Sequence, residues 1–214
     1  VVADHQTQGR GRMSRSWISP PGTNILCSII FYPDLDASSV YRLTMMASVC
    51  VVHAVEKICG QSARIKWPND IYIYDKKVCG ILTEFLADFD RVLHAVVGIG
   101  INVNFITGKE PELKDIAVSL CEITGKRVSR IGILKQVLKE MDDHYPLIKK
   151  SGFLQVKELW EQYSLVLNRR VTVVSGDEKI SGTVKGLTEN GHLLIADKAG
   201  NEQEILCGDV SLHL

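Results

Sequence analysis

Apolar residues recur along this chain at two periods, and the switches between them mark out its elements. Asn24 to Tyr32 is a nearly unbroken β-rich run, which predicts a buried strand. From about Ser38 to Cys59 the spacing becomes helical. Val40, Leu43, Ala47, Cys50, Ala54 and Ile58 step by three or four and form one core-facing stripe, with Gly60 as the stop. Three strands follow at Asp70–Tyr74, Val78–Ala87 and Val92–Ile101, joined by hairpin connections at Asp75-Lys76 and Asp88-Phe89-Asp90. In the third strand, Gly98-Ile99-Gly100 predicts a close approach by backbone or ligand. Helical spacing returns after Ser129, a good N-cap, with Ile131, Leu134, Leu138, Met141 and Tyr145 as its buried stripe. Another helix carries Phe153, Val156, Trp160 and Tyr163 on one face. Near Asn168 the chain turns β-branched and turn-rich. Val171–Val174, the turn Ser175-Gly176-Asp177-Glu178 and Lys179–Leu187 come first. A type I′ hairpin at Asn190-Gly191 then leads into Leu193-Leu194-Ile195. Four or five short strands in so short a stretch imply a small barrel. The expected division is residues 1–167 and residues 168–214.

Composition narrows the classes. Twenty-five Lys and Arg balance twenty-five Asp and Glu in 214 residues, so no global pull toward nucleic acid is indicated and no DNA binding is expected. The 45% hydrophobic and 23% charged content is that of an ordinary soluble globular protein. The six cysteines, at 27, 50, 59, 79, 121 and 207, have no CxxC pair, and most lie in apolar runs. They read as reduced core thiols of a cytoplasmic protein. No metal site built on the cysteines or histidines is expected, because the histidines are scattered too. No apolar run approaches the roughly twenty residues of a membrane span, and no signal peptide is visible. The chain opens at Val1 in strand-like sequence, which suggests a piece upstream of this numbering.

Candidate chemistry concentrates in three places. Gly9-Arg10-Gly11-Arg12-Met13-Ser14-Arg15-Ser16-Trp17 packs three permanent cations between glycines, a loop suited to wrapping an anion. Trp17 either stacks on a flat ring such as adenine or anchors the loop. In Lys66-Trp67-Pro68-Asn69-Asp70 the proline fixes an abrupt corner. Its carboxylate beside a carboxamide suits hydrated Mg²⁺ held with nucleotide phosphates, or else a plain Asx turn. In Lys76-Lys77-Val78-Cys79-Gly80, alternation sets Lys77 with Cys79 on one face and Lys76 with Val78 on the other, and Gly80 leaves room for a bound molecule.

The order Gly-Arg-Gly-Arg-x-x-Arg-x-Trp, Lys-Trp-Pro-Asn-Asp, Lys-x-x-Gly-Ile-Leu and Gly-x-Gly-Ile-Asn resembles biotin–protein ligase over most of the chain, at Gly9–Trp17, Lys66–Asp70, Lys77–Leu82 and Gly98–Asn102. The resemblance implies an α+β fold: a mixed, largely antiparallel sheet packed by helices, of the class II aminoacyl-tRNA synthetase-like kind, with a small C-terminal SH3-like β-barrel. It implies ATP-dependent activation of biotin to biotinyl-5′-AMP and transfer to a lysine of a biotin carboxyl carrier protein. Gln6, Gly9, Arg10, Gly11, Arg12, Lys77 and Gly80 become biotin contacts. Arg12, Arg15, Trp17, Lys66, Asn69 and Asn102 become nucleotide contacts, Asp70 the Mg²⁺ ligand, and Lys77 and Arg12 the catalytic pair. The Gly98–Asn102 strand resembles the sheet edge that family members use to pair with a second subunit, as a homodimer, or with the acceptor domain.

Three departures stand out. The Ser-Thr-Asn segment of the family is absent, as is a winged-helix DNA-binding domain, and Met13 and Ser14 stand where relatives often carry Arg or Gly. Rival readings are a lipoate–protein ligase or octanoyltransferase, a non-catalytic biotin-binding module, and an arginine–glycine nucleic-acid binder.

Overall fold

A computed structural model describes residues 1–151 and 153–212, without the side chains of 149–151. A six-stranded sheet has the order β1-β2-β6-β5-β4-β3. Its strands are β1 (Val2–Ala3), β2 (Ile25–Phe31), β3 (Arg64–Lys66), β4 (Asp70–Ile73), β5 (Lys76–Asp88) and β6 (Arg91–Ile101), and every neighbouring pair is antiparallel. Helix α1 (Tyr41–Cys59) lies against one face of this sheet, capped at its end by left-handed Gly60. Helices α3 (Arg130–Ser151) and α4 (Leu154–Tyr163) pack on α1, and the short α2 (Leu120–Thr124) sits between β6 and α3 in sequence. A second sheet, β7 (Arg170–Ser175), β8 (Glu178–Leu187), β9 (Leu193–Ala196), β10 (Glu202–Ile205) and β11 (Asp209–Leu212), runs in the order β10-β9-β8-β7-β11. The α+β class is as expected. The barrel is observed only as this five-stranded antiparallel sheet, because no pairing joins β10 to β11 among the described residues. Positions 213 and 214 of the expected C-terminal unit lie outside them.

Several expectations need correction. Helix α1 is buried on almost every side rather than along one stripe: Leu43 through Val52 are all buried, whereas Ile58 is exposed. Residues 37–59 are long and apolar enough by composition to cross a membrane, contrary to the reading from unbroken runs. Yet most of its apolar stretch is buried inside the protein, as in a core helix. The α3 stripe is also different. Ile133, Val137, Met141 and Ile148 form the core face, while Ile131 and Leu138 are exposed. Met141 is buried as expected, and Leu134 and Tyr145 pack partly buried against the core, so the expected stripe is displaced only at Ile131 and Leu138. Ser129 Oγ does accept from Gly132 N at the start of α3.

The hairpin at Asn190-Gly191 is not type I′, since only Gly191 has positive φ (83°). Asn190 is instead drawn toward α1, its Oδ1 accepting from Ser39 Oγ at 2.9 Å and Arg42 Nη2 at 3.2 Å. That contact ties the β8–β9 turn to the start of α1. The cysteines are all free, but Cys207 is exposed rather than core.

Strand β6 is not a sheet edge. It lies between β2 and β5, because Ile25–Phe31 pairs along its other side.

Candidate active site

Strands β5 and β6 carry the site, and their register explains it. Gly80 pairs directly with Gly100, and Leu82 with Gly98. On the face away from α1, the Gly80–Gly100 pair therefore carries no side chain. Trp17 fills that gap. A Cβ on Gly100 would come within 2.6 Å of the Trp17 ring, and one on Gly80 within 3.1 Å. The close approach expected at Gly98-Ile99-Gly100 is this ring, so Trp17 anchors the loop on the sheet.

The loop is a closed structure of its own. Gly11 N donates to Arg15 O at 2.7 Å, and Trp17 N to Gly9 O at 2.9 Å, with an isolated bridge between Arg10 and Ser16. Met13 and Ser14 have φ of 52° and 60°, a region that costs non-glycine residues energy.

Lys77 also reaches this face. Its Nζ lies 2.7 Å from Asp70 Oδ1 and 5.7 Å from the centre of the Trp17 ring. Simple alternation, which grouped Lys77 with Cys79, fails here. The β4–β5 register shifts, so that Ile71 faces Cys79 and Tyr72 faces Lys77. One extra residue, Val78, lets both Val78 and Cys79 turn into the core while Lys77 and Gly80 share the front. Burial pushes the Cys79 thiol well above its ordinary pKa, so it stays protonated. Lys76 points elsewhere, donating to Lys114 O at 2.8 Å.

The Trp67–Pro68 bond is cis, and the corner it makes sets Asn69 and Asp70 at the mouth of β4. Asn69 Nδ2 donates to Ile81 O at 2.7 Å, while its Oδ1 accepts from Arg12 Nη1 at 3.4 Å. Asp70 Oδ1 is buried and, although close to the Lys77 ammonium, has no aligned hydrogen bond. Tyr72 beside it is pushed up to about 12, first by burial and then by the Asp70 charge, so its hydroxyl keeps its proton. The Lys66 ammonium sits 5.3 Å from the Tyr72 ring centre.

These groups share one cavity of about 640 Å³. Gln6, Arg10, Gly11, Arg12, Arg15, Trp17, Lys66, Asn69, Asp70, Lys77, Gly80 and Asn102 all line it, and of the expected site residues only Gly9 does not. Gly9 is a structural glycine, since a Cβ there would lie 2.5 Å from Trp17 O.

Sequence reasoning missed the contribution of the second sheet. Arg12 Nη1 donates to Gly208 O at 3.2 Å, and Arg15 pairs with Asp209, which itself lines the cavity with Val210 and Ser211. No local signal in Cys207-Gly208-Asp209 announces this, because the contacts span almost the whole chain.

Comparisons with known proteins agree with this geometry. Residues 1–102 match the profile of the biotin/lipoate A/B protein ligase family, and residues 166–213 match that of the biotin protein ligase C terminal domain. The bifunctional ligase/repressor BirA of Bacillus subtilis (strain 168) is 40% identical over 213 residues, covering 99% of this chain and 65% of that protein. The chain thus spans just under two thirds of the length of that relative. The biotin–[acetyl-CoA-carboxylase] ligase of Paracoccus denitrificans is 28% identical over 206 residues, covering 94% of this chain and 85% of the relative. Among solved structures, the biotin protein ligase from Aquifex aeolicus in complex with biotin and ATP superposes with a TM-score of 0.85 at 38% identity, covering 99% of this chain and 87% of that one. With that identity over nearly the full length of a solved relative, and matches at both ends of the chain, this protein belongs to the biotin protein ligase family.

Proposed function

We propose that the chain activates biotin with ATP to biotinyl-5′-adenylate and transfers the biotinyl group to a lysine of a biotin carboxyl carrier protein, in the cytoplasm. The observation that carries this reading is the convergence of Arg12, Arg15, Lys77 and Trp17 on one cavity over the paired glycines Gly80 and Gly100 of β5 and β6. Only the ligase half of the Bacillus relative's name is carried over. The profile matched by the C-terminal stretch favours biotin over lipoate. We divide the chain at 167 into a catalytic part, 1–167, and a C-terminal part, 168–214.

In the first step the biotin carboxylate oxygen bonds to the α-phosphorus of ATP as the bond to pyrophosphate breaks. An anion must approach a polyanion, and fixed cations reduce that repulsion. Arg10, Arg12, Arg15 and Lys77 fill this role, each worth a few kcal/mol at most by analogy with preorganised charge elsewhere. Lys77, held by Asp70, is placed for the carboxylate and the developing acyl phosphate; Arg12 spans the corner and the second sheet. Asp70 would hold Mg²⁺ through the carboxylate oxygen turned away from Lys77, since Oδ1 faces that ammonium at 2.7 Å, whereas Asn69 is occupied by Arg12 and Ile81. When bound, Mg²⁺ adds positive charge at the phosphates. In the second step the acceptor amine attacks the acyl carbon and AMP leaves. The strapped loop keeps water from the adenylate until then.

Pyrophosphate exchange into ATP tests the reading: exchange is expected only with biotin present, and biotin-independent or absent exchange contradicts it. Self-association as a homodimer is the other partner expected, and sedimentation with and without biotin checks it.

A further inference from the structure

Behind the catalytic sheet, on the far side of α1, two histidines that are distant in sequence meet one carboxylate. We propose that His53, Glu140 and His144 form a binding site for a first-row divalent cation, with Zn²⁺ the best fit, that clamps α1 to α3. A ring nitrogen of each histidine and one Glu140 oxygen lie within 4.8 Å of one another.

Three features support a metal rather than a bare polar bridge. First, the donors match the chemistry: two imidazoles and a carboxylate are a set that zinc takes, with a fourth position left for water. His53 Nδ1 lies 3.1 Å from Glu140 Oε2, close to the roughly 3.3 Å edge of a tetrahedron with ordinary zinc–ligand distances.

Second, groups outside the three ligands already fix their orientation. His144 Nδ1 donates to Glu140 O at 2.8 Å, which leaves Nε2 as the bare lone pair. Gln136 Nε2 donates to Glu140 Oε1 at 2.6 Å, so Oε2 is the oxygen turned toward the two imidazoles, 3.1 Å from His53 Nδ1 and 3.9 Å from His144 Nδ1. The Tyr163 ring meets His53 edge-on, at 5.6 Å between centroids.

Third, the carboxylate lacks a fixed counter-charge. The Glu140 side chain is only 14% exposed, and among the described residues no lysine or arginine pairs with it. Its ionic partners are the two imidazoles, whose rings lie 5.5 Å apart and would repel if both were charged. A divalent ion supplies the missing positive charge. Among the described residues no cysteine belongs to the donor group.

The test uses the purified, tag-free chain stripped with chelator and titrated with Co²⁺ and Zn²⁺. One equivalent is expected to bind at micromolar or tighter Kd, and Co²⁺ should give visible d–d bands without thiolate charge transfer. Zn²⁺ at a hundredfold excess over Kd should raise Tm by roughly 5–10 °C. Gln136→Leu, which touches no ligand nitrogen, should weaken binding about tenfold to a hundredfold. His144→Gln should abolish it, and His94→Gln on β6 should leave it unchanged. A thiolate charge-transfer band, no saturable binding by the wild-type chain, or equal affinity in His144→Gln and wild type would each overturn the proposal. If His144→Gln does not fold, the wild-type cobalt spectrum and Gln136→Leu decide alone. None of these readouts depends on ligase activity.

Discussion

The two faces of β5 and β6 differ as sharply as two proteins. Toward α1 the strands present Ile81, Val97, Ile99 and Ile101, all nearly inaccessible, with Thr83 Oγ1 hydrogen-bonded to Thr44 Oγ1 at 2.8 Å. Away from α1 they present Gly80, Leu82, Glu84, Val96, Gly98 and Gly100, which line the cavity. One face gains stability from filled volume, in the manner of any α/β interface. The other gives up side chains so that an aromatic ring and a lysine can lie on bare backbone. The lesson is that the site is built by subtraction: one glycine pair, Gly80 opposite Gly100, defines where it sits, and the charged loop is fastened over it.

The largest expected effect comes from adjacent lysines that the bulge sends to different places. Lys77→Ala should reduce biotin-dependent pyrophosphate exchange on the order of a hundredfold or more, whereas Lys76→Ala should stay within about twofold, since its partner is a surface carbonyl. Equal losses would remove the bulge from the account.

Glycine substitutions on the front face come next. Gly100→Ala must displace the Trp17 ring, at a cost of about 1–3 kcal/mol and with weaker biotin and ATP binding. Gly98→Ala meets nothing closer than Leu82 O at 3.4 Å and should be nearly silent. Thermal melts and ligand titrations on both variants separate the two positions.

The loop strap ranks third. Arg12→Gly removes contacts to Asn69 and Gly208 together, and the release of preformed biotinyl-adenylate should accelerate. Asp209→Asn frees Arg15 from a pairing that the triphosphate must otherwise displace. The pair is largely exposed, so a fall in the KM for ATP of only about twofold to fivefold is expected.

Much of this was legible from residues alone, and the rest was not for identifiable reasons. The three segments that converge, around Arg12, Asp70 and Lys77, announce themselves by residue type, because guanidinium loops and a proline-fixed Asn-Asp corner are unusual anywhere. Helix α1 and strands β2, β5 and β6 follow from apolar period. What period cannot supply is register. The pairing of Gly80 with Gly100 and the extra residue at Val78 depend on partner strands, and one shifted residue reversed the expected grouping of Lys77 with Cys79. The α3 stripe was right at Leu134, Met141 and Tyr145 and wrong at Ile131 and Leu138, since apolar residues flank the buried face and only tertiary packing sets its limits. Asp209 was invisible because its partner Arg15 lies at the opposite end of the chain.

The smallest predicted effect lies in the second sheet, away from the cavity. Glu204 is held below the usual carboxyl pKa, chiefly by the hydrogen bond from His192, 2.6 Å away. Its contribution is therefore present above the ordinary glutamate range, near about 4.3, and is lost as pH falls through the depressed folded value. Glu204→Gln should flatten the acid side of the stability profile slightly in urea melts, and leave exchange activity alone.

The central claim is that one cavity holds both biotin and nucleotide beneath the Arg10–Trp17 loop. Competition binding with a non-hydrolysable biotinyl-adenylate addresses it directly. The account predicts that one equivalent per chain displaces both biotin and ATP, and that Gly100→Ala weakens all three ligands together. If the analogue displaced only one of them while the other stayed bound at full occupancy, the two sites would be separate and the account would be wrong.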